Sequence, residues 1–284
     1  MISEAANGRI AAFESALSLN GGARPEGTLY SGVDLGTAYI VTAVVDAKGQ
    51  PVAGVLTRSG TSVRDGLVLD YVGAVATLRK QVAAIRNAGF DIRAASAAYP
   101  PGISGRNTQA FGNVVQAAGL ELAGLIDEPT AASLVLEITD GAVVDIGGGT
   151  TGISVIQDGE VVYAADEPTG GIHLDLVIAG HFHIDVQEAE ALKTDPVRQK
   201  DLFPMVRPVF QKMASIVLTH LREHPVQTLY LVGGTSQFPD IESVMREETG
   251  LEVALPEKPL LVTPLGIALS CSGKTVGAAP RTTE

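Results

Sequence analysis

Cysteine is nearly absent: Cys271 is the single one in 284 residues. An intramolecular disulfide is therefore excluded, and a reducing compartment is the natural setting. No apolar run approaches the roughly 18 residues of a membrane-spanning helix. The N-terminus also lacks the basic-then-apolar order of a secretory leader. A cytoplasmic protein without a membrane partner is expected. Positive charge is scarce as well, with a net charge of −12. A nucleic-acid-binding face would need the opposite balance, so that class is excluded and the acidity serves solubility.

Several catalytic signatures are missing too. There is no Gly-x-x-x-x-Gly-Lys-Ser/Thr loop and no serine or cysteine nucleophile elbow. The five histidines form no metal set. His181 and His183 are two apart, which puts them on different helical faces. His220 and His224 have a chelating spacing but no third ligand in the needed pattern.

Glycine and threonine are concentrated where they matter. Gly141 to Ile156 reads strand, turn, strand: Val143 and Val144 run into Asp145, then Gly147, Gly148, Gly149, Thr150 and Thr151, then Ile153, Val155 and Ile156. Three consecutive glycines lose backbone entropy on folding, and close approach of a ligand to the main chain is a reason to keep them. Successive N–H groups in such a turn make an anion nest. The threonine hydroxyls add donors, and a carboxylate at the strand end can hold a metal through water. The outline is that of a phosphate–Mg²⁺ site.

The device occurs twice. Ser31 to Val45 has the same order, with Asp34, Gly36 and Thr37 between two strands, about 110 residues before the second copy. Two such hairpins predict two similar α/β domains facing one ligand, with one carboxylate from each.

Between and around them the chain alternates helices and strands. Ile10, Phe13, Ala16 and Leu17 share a helical face. That helix is followed by a stop at Asn20-Gly-Gly22 and a linker at Ala23 to Gly27. It either docks on its own domain or binds a partner. Val75, Leu78, Val82 and Ile85 predict a helix to about Asn87, with Arg64, Asp65 and Asp70 at its mouth as loop polarity, caps or cleft residues. Strands are expected at 52–56, 94–99, 122–127 and 228–232, and helices at 107–118, 174–180, 187–193, 202–223 and 264–270. The tail from Ser272 is polar and expected to fray. Glu128, at a strand end with Pro129 in the first helical turn, either faces the helix dipole or orients a water at a γ-phosphate. Glu190 and Lys193, one turn apart, read first as a surface ion pair.

Asp34-Leu-Gly-Thr37, Glu128-Pro-Thr-Ala-Ala132, Asp145-Ile-Gly-Gly-Gly-Thr-Thr151, Thr169-Gly-Gly171 and Leu231-Val-Gly-Gly-Thr-Ser236 together resemble the phosphate, connecting and adenosine motifs of the actin and Hsp70 ATPase superfamily. They stand in the superfamily's order and span about 29 to 270. Within it, Val63 to Asp70, Tyr99-Pro-Pro-Gly102, Ala165-Asp-Glu and Thr263-Pro-Leu-Gly-Ile-Ala268 are similar to the chaperone-like EutJ family of ethanolamine utilisation, found with bacterial microcompartment enzymes.

The resemblance implies two ribonuclease H-like domains with an interdomain nucleotide cleft. An N-terminal helix and linker would occupy 1–28, domain I 29–138 plus 263–284, and domain II 139–262. It implies ATP or ADP with Mg²⁺, the metal held through water by Asp34 and Asp145. Gly36, Thr37 and Gly147 through Thr151 would grip phosphates, with Gly170 and Gly171 nearby. Glu128 would position the hydrolytic water. Gly233, Gly234 and Thr235 would face the adenosine, and Glu190 and Lys193 the ribose. A weak Mg²⁺-dependent ATPase switch is expected. Its partner would be a protein client, an ethanolamine-utilisation enzyme or shell protein, with self-association a further mode. The rivals are an assembly scaffold with little hydrolysis and a small-molecule kinase of the same superfamily.

The sequence departs from the superfamily in three ways. The chain is roughly a hundred residues shorter than an Hsp70 ATPase domain, no β-rich peptide-binding domain follows, and the phosphate-facing lysine of Hsp70 has no clear counterpart.

Overall fold

The structure is a computed structural model that describes residues 1–19, 27–59, 63–64, 67–103 and 105–272. The expected stop at Asn20-Gly-Gly22, most of the linker from Ala23, Asp65, the Arg64 side chain and the tail beyond Ser272 lie outside the described residues.

Two sheets carry the molecule. The first is built from β1 (Tyr30–Leu35), β2 (Tyr39–Val45) and β3 (Pro51–Arg58), with a small two-stranded pair, β4 (Val63–Arg64) and β5 (Leu67–Val68), beside it. It is completed by β6 (Ala94–Tyr99) and β7 (Glu121–Asp127), in the order β3-β2-β1-β6-β7. The second contains β8 (Gly141–Ile146), β9 (Thr151–Gln157), β10 (Glu160–Glu167), β11 (Thr228–Val232) and β12 (Glu252–Ala254), in the order β10-β9-β8-β11-β12. In each sheet the first three strands pair antiparallel and the last two join parallel. The two halves therefore repeat one topology, as the paired hairpins predict.

The helices follow from capping and periodicity. Between β5 and β6, α2 (Tyr71–Asn87) is capped by Asp70, whose carboxylate accepts from Gly73 N–H at 2.9 Å. It buries Val75, Leu78, Val82 and Ile85 on the first sheet, with α3 (Arg106–Ala117) beside it. Then α4 (Glu128–Leu136) starts directly from β7: Asp127 accepts from Thr130 N–H at 2.9 Å, and proline occupies the first turn. On the second sheet lie α5 (Ile172–Phe182), α6 (Val186–Thr194), α7 (Pro196–Leu221) and α8 (Ile241–Thr249). A six-residue earlier start than the expected 202 reflects Asp195, which caps α7 ahead of Pro196. Pro204 and Pro208 remain inside that helix.

The last helix, α9 (Val262–Cys271), is buried from Val262 to Leu269. It packs on β1 and α4, and small residues permit the approach. A Cβ at Gly32 would overlap the Ala268 backbone, and one at Gly266 would overlap the Ala131 carbonyl.

The N-terminal α1 (Glu4–Ala16) is docked on the chain itself. Ile10 and Phe13 are fully buried in a cluster that includes residues of both sheets, among them Val41, Val143 and Val232. Gly54 of β3 leaves room for the Phe13 ring, since a Cβ there would sit 2.5 Å from it. Among the described residues, no helix is long and apolar enough to cross a membrane.

Candidate functional site

A cavity of about 520 Å³ is lined by residues of both sheets. The β1–β2 turn supplies Gly36, Thr37 and Ala38, and the β8–β9 turn supplies Gly147 to Thr150. The second turn is closed by Gly147 N–H donating to the Thr150 carbonyl at 2.9 Å. A Cβ at Gly148 would lie 3.3 to 3.4 Å from Ala38 and Thr37, so the two turns approach each other.

Four carboxylates are among the described lining residues, Glu190 and three others that come from three different elements. Asp34 lies near the end of β1, Asp145 near the end of β8, and Glu128 opens α4. Asp145 is only 8% exposed. Burial, with the Asp145 charge added, pushes the Asp34 carboxyl up to about 7. Burial raises Asp145 to about 6 against a lowering hydrogen bond from Thr263. Glu128 is raised well above the carboxylate range by burial, then by Asp145, Asp34, Asp166 and Asp127. Asp34, Asp145 and Glu128 thus crowd one another at buried positions, and each keeps its proton to a higher pH than an exposed carboxylate does. Like-charge crowding with desolvation is a signature of functional sites.

The rest of the lining comes from the second sheet's helices and turns. Gly233, Gly234 and Thr235 follow β11, and the Thr235 hydroxyl donates to the Gly147 carbonyl at 2.8 Å. Gly233 has φ +88°, and a Cβ there would overlap an Asp145 oxygen, so only glycine fits behind that carboxylate. Glu190 and Lys193 both line the cavity but take other partners than each other. Glu190 pairs with Arg58 of β3 at 2.8 Å, a link between elements of the two sheets. Lys193 Nζ bonds Asp175 at 2.8 Å and the Gly171 carbonyl at 3.1 Å. Lys193 is the sole basic side chain among the described lining residues.

Three expected positions stand back from the cavity. Thr151 is fully buried, and its hydroxyl donates to the Thr169 carbonyl at 2.6 Å, away from the lining. Gly170 lies behind the β8–β9 turn, where a Cβ would meet Gly148 and Gly149 backbone at 2.7 to 2.8 Å. Gly171 N–H donates to the Gly147 carbonyl at 3.0 Å. All three brace the turn and do not line the cavity. Asp70, weighed as a cleft residue, is an exposed helix cap outside the lining.

Other lining residues were not legible as such. Thr263 of α9 donates to Asp145 Oδ2 at 2.8 Å across 118 positions of sequence. Tyr39, Leu56, Pro196, Gln199, Phe238 and Leu260 add the apolar and amide walls. Thr263 was visible only as the start of the Thr263-to-Ala268 stretch, and no local signal marks the others, because each is an ordinary strand, helix or turn residue until the fold assembles. Among the described residues no group of three or more His, Cys, Asp or Glu could hold a metal directly. His220 is engaged at both nitrogens, by the Tyr163 hydroxyl at 2.6 Å and Glu167 at 2.9 Å, and His224 stacks on Tyr163.

The cell division protein FtsA family matches residues 142–266 of this chain, and the MreB/Mbl protein family matches residues 57–195. MreB 5 of Spiroplasma citri bound to AMPPNP is 19% identical, covering 85% of this chain and 95% of its own, with a TM-score of 0.70, a likeness of fold. Ethanolamine utilization protein EutJ of Escherichia coli (strain K12) is 41% identical over 257 residues, 90% of each chain. The crystal structure of ethanolamine utilization protein EutJ from Carboxydothermus hydrogenoformans is 44% identical, covers 93% of this chain and 97% of its own, and superposes with a TM-score of 0.87. Two hairpin-bearing sheets of one topology, an acidic cavity and near-full-length identity at this level agree: the chain belongs to the EutJ family of ethanolamine utilization proteins.

Proposed function

We propose that the cavity is the site of ATP or ADP with Mg²⁺, and that the chain is an actin/Hsp70-like nucleotide switch acting as a chaperone-like protein of ethanolamine utilisation. In this reading two domains, 29–138 with 263–284 and 139–262, close on the nucleotide. Because both domains contact one ligand, nucleotide state biases the angle between them and hence affinity for a protein client. A client enzyme or shell protein of the ethanolamine system is the partner class, from the name that the relatives carry.

The observation that carries the reading is the meeting of Asp34, Asp145 and Glu128 at a wall between two glycine turns. A divalent cation would relieve their repulsion. The donor set fits such an ion, since buried carboxylates supply the hard oxygen ligands that Mg²⁺ takes, with water completing the set. Asp34 and Asp145 would hold it, and it would supply charge neutralisation to phosphate oxygens. Gly36, Thr37 and Gly147 to Thr150 would offer N–H and hydroxyl donors to the phosphates. Thr151, Gly170 and Gly171 support them from behind. Gly233, Gly234 and Thr235 would face the adenosine, and Glu190 and Lys193 the ribose. Glu128 would orient the attacking water and take its proton.

One feature favours slow turnover or a scaffold role. Lys193, the only cation among the described lining residues, is already paired with Asp175. Phosphate charge would then rest on the metal and backbone N–H groups, without a free lysine.

Calorimetry of ATP binding with and without Mg²⁺ tests the site. Asp145→Ala is expected to lose the Mg²⁺-dependent affinity, and unchanged affinity would contradict the assignment. In single-turnover assays at saturating ATP, Glu128→Gln should be slower than the parent by about 10²- to 10⁴-fold, the range of general-base catalysis. Equal rates would leave Glu128 as a helix-terminal charge only.

A further inference from the structure

Thr263 is a polar side chain in a helix whose residues from Val262 to Leu269 are otherwise apolar or glycine, and all are buried. Several serine and threonine hydroxyls inside helices of this chain turn back to the carbonyl three or four residues earlier, as Ser15, Thr194, Ser215, Thr219, Thr249 and Ser270 do. Thr263 does not. The carbonyl four positions back, that of Pro259, accepts from Gly233 N–H at 3.1 Å. The Thr263 hydroxyl instead reaches Asp145 Oδ2 at 2.8 Å. Valine has the same shape and suits an apolar site better, so nothing in the packing of α9 asks for the hydroxyl. The buried carboxylate does, because an unmatched oxygen there is costly.

The helix that offers this hydroxyl is tied to the other two acids as well. It packs backbone against backbone on β1 at Gly32, two residues before Asp34. It also packs on α4 at Ala131, three residues after Glu128. Its N-terminal partial charge lies beside the Asp145 carboxylate.

We propose that Thr263 is a positioning residue for Asp145: its hydroxyl fixes one carboxylate oxygen and registers the second-sheet acid against the helix that also packs beside Asp34 and Glu128. It acts through Asp145 and is not itself a catalytic residue. The role rests on the nucleotide–Mg²⁺ reading of the cavity and names a further residue on which that site depends.

The test reads the gain in ATP affinity that Mg²⁺ confers, as the ratio of the Kd without Mg²⁺ to the Kd with it, by calorimetry. Thr263→Val should shrink that ratio about tenfold, the scale on which residues supporting a metal ligand act. Thr263→Ser, which keeps the hydroxyl, should hold the ratio within about twofold of the parent. Thr263→Ala replaces the valine variant if that one fails to fold. An unchanged ratio in the hydroxyl-free variant, or an equal loss in Thr263→Ser, overturns the proposal. If the parent chain shows no Mg²⁺-dependent ATP binding, the nucleotide reading falls, and the role of Thr263 falls with it. A parent that responds to Mg²⁺ beside a hydroxyl-free variant that responds equally would sink the positioning role alone.

Discussion

A carboxyl group such as Asp34 ionises near pH 4 in an unfolded chain, yet keeps its proton to about 7 in this cavity. Asp145 does the same to about 6. The folded state therefore binds more protons than the unfolded state between these values. Stability is greatest below the unfolded pKa and is lost as pH rises through the folded one. The ligand-free protein should accordingly melt at a lower temperature near pH 8 than near pH 5, and Asp34→Asn should flatten that slope. Parallel pH profiles for parent and variant would show that Asp34 carries no such strain. The acids themselves were legible in the sequence, because each ends a strand before a glycine turn. Thr263 and Asp175 were not, since their partners, Asp145 and Lys193, lie 118 and 18 positions away. Thr151 is a different case. A hydroxyl beside a glycine turn reads as a ligand donor, but on β9 it points to the Thr169 carbonyl and locks the turn from behind.

Among the elements, α9 has the tightest constraints. Apolar content alone reads it as a buried helix, while the need for small residues appears only when α4 and β1 are laid against it. Gly266→Ala should destabilise the chain by about 3 kcal/mol, because the added methyl meets a main-chain carbonyl that cannot rotate away. Gly8 in α1 is the control, with open space around its Cβ position. Gly8→Ala should stabilise by up to about 1 kcal/mol through helix propensity. Urea denaturation distinguishes the two, and a neutral Gly266→Ala would mean that the contact relaxes freely. Helices with strong periodicity, such as α2, were readable to within a residue or two. The start of α7 was not, because Pro196 resembles a breaker until Asp195 is seen capping the first turn. The short edge strand β12 was also missed. Three residues offer no alternation to read, and parallel pairing with β11 defines it.

At the scale of the whole molecule, two sheets of one strand order present their hairpin turns to a common cavity. The duplication was visible in sequence because each copy repeats the same order of strand, acid, glycine and threonine. The packing of α1 was half visible. Its apolar face was plain, but its seat in a cluster drawing on both sheets depends on Gly54 and on contacts distant in the chain. One ligand is proposed to lie between the two turns. A crystal structure of the chain with Mg²⁺ and a non-hydrolysable ATP analogue examines this most directly. Phosphates are predicted between Gly36–Thr37 and Gly147–Thr150, with both Asp34 and Asp145 facing a hydrated metal. A cavity without nucleotide at saturating analogue, or nucleotide bound elsewhere on the molecule, would contradict it.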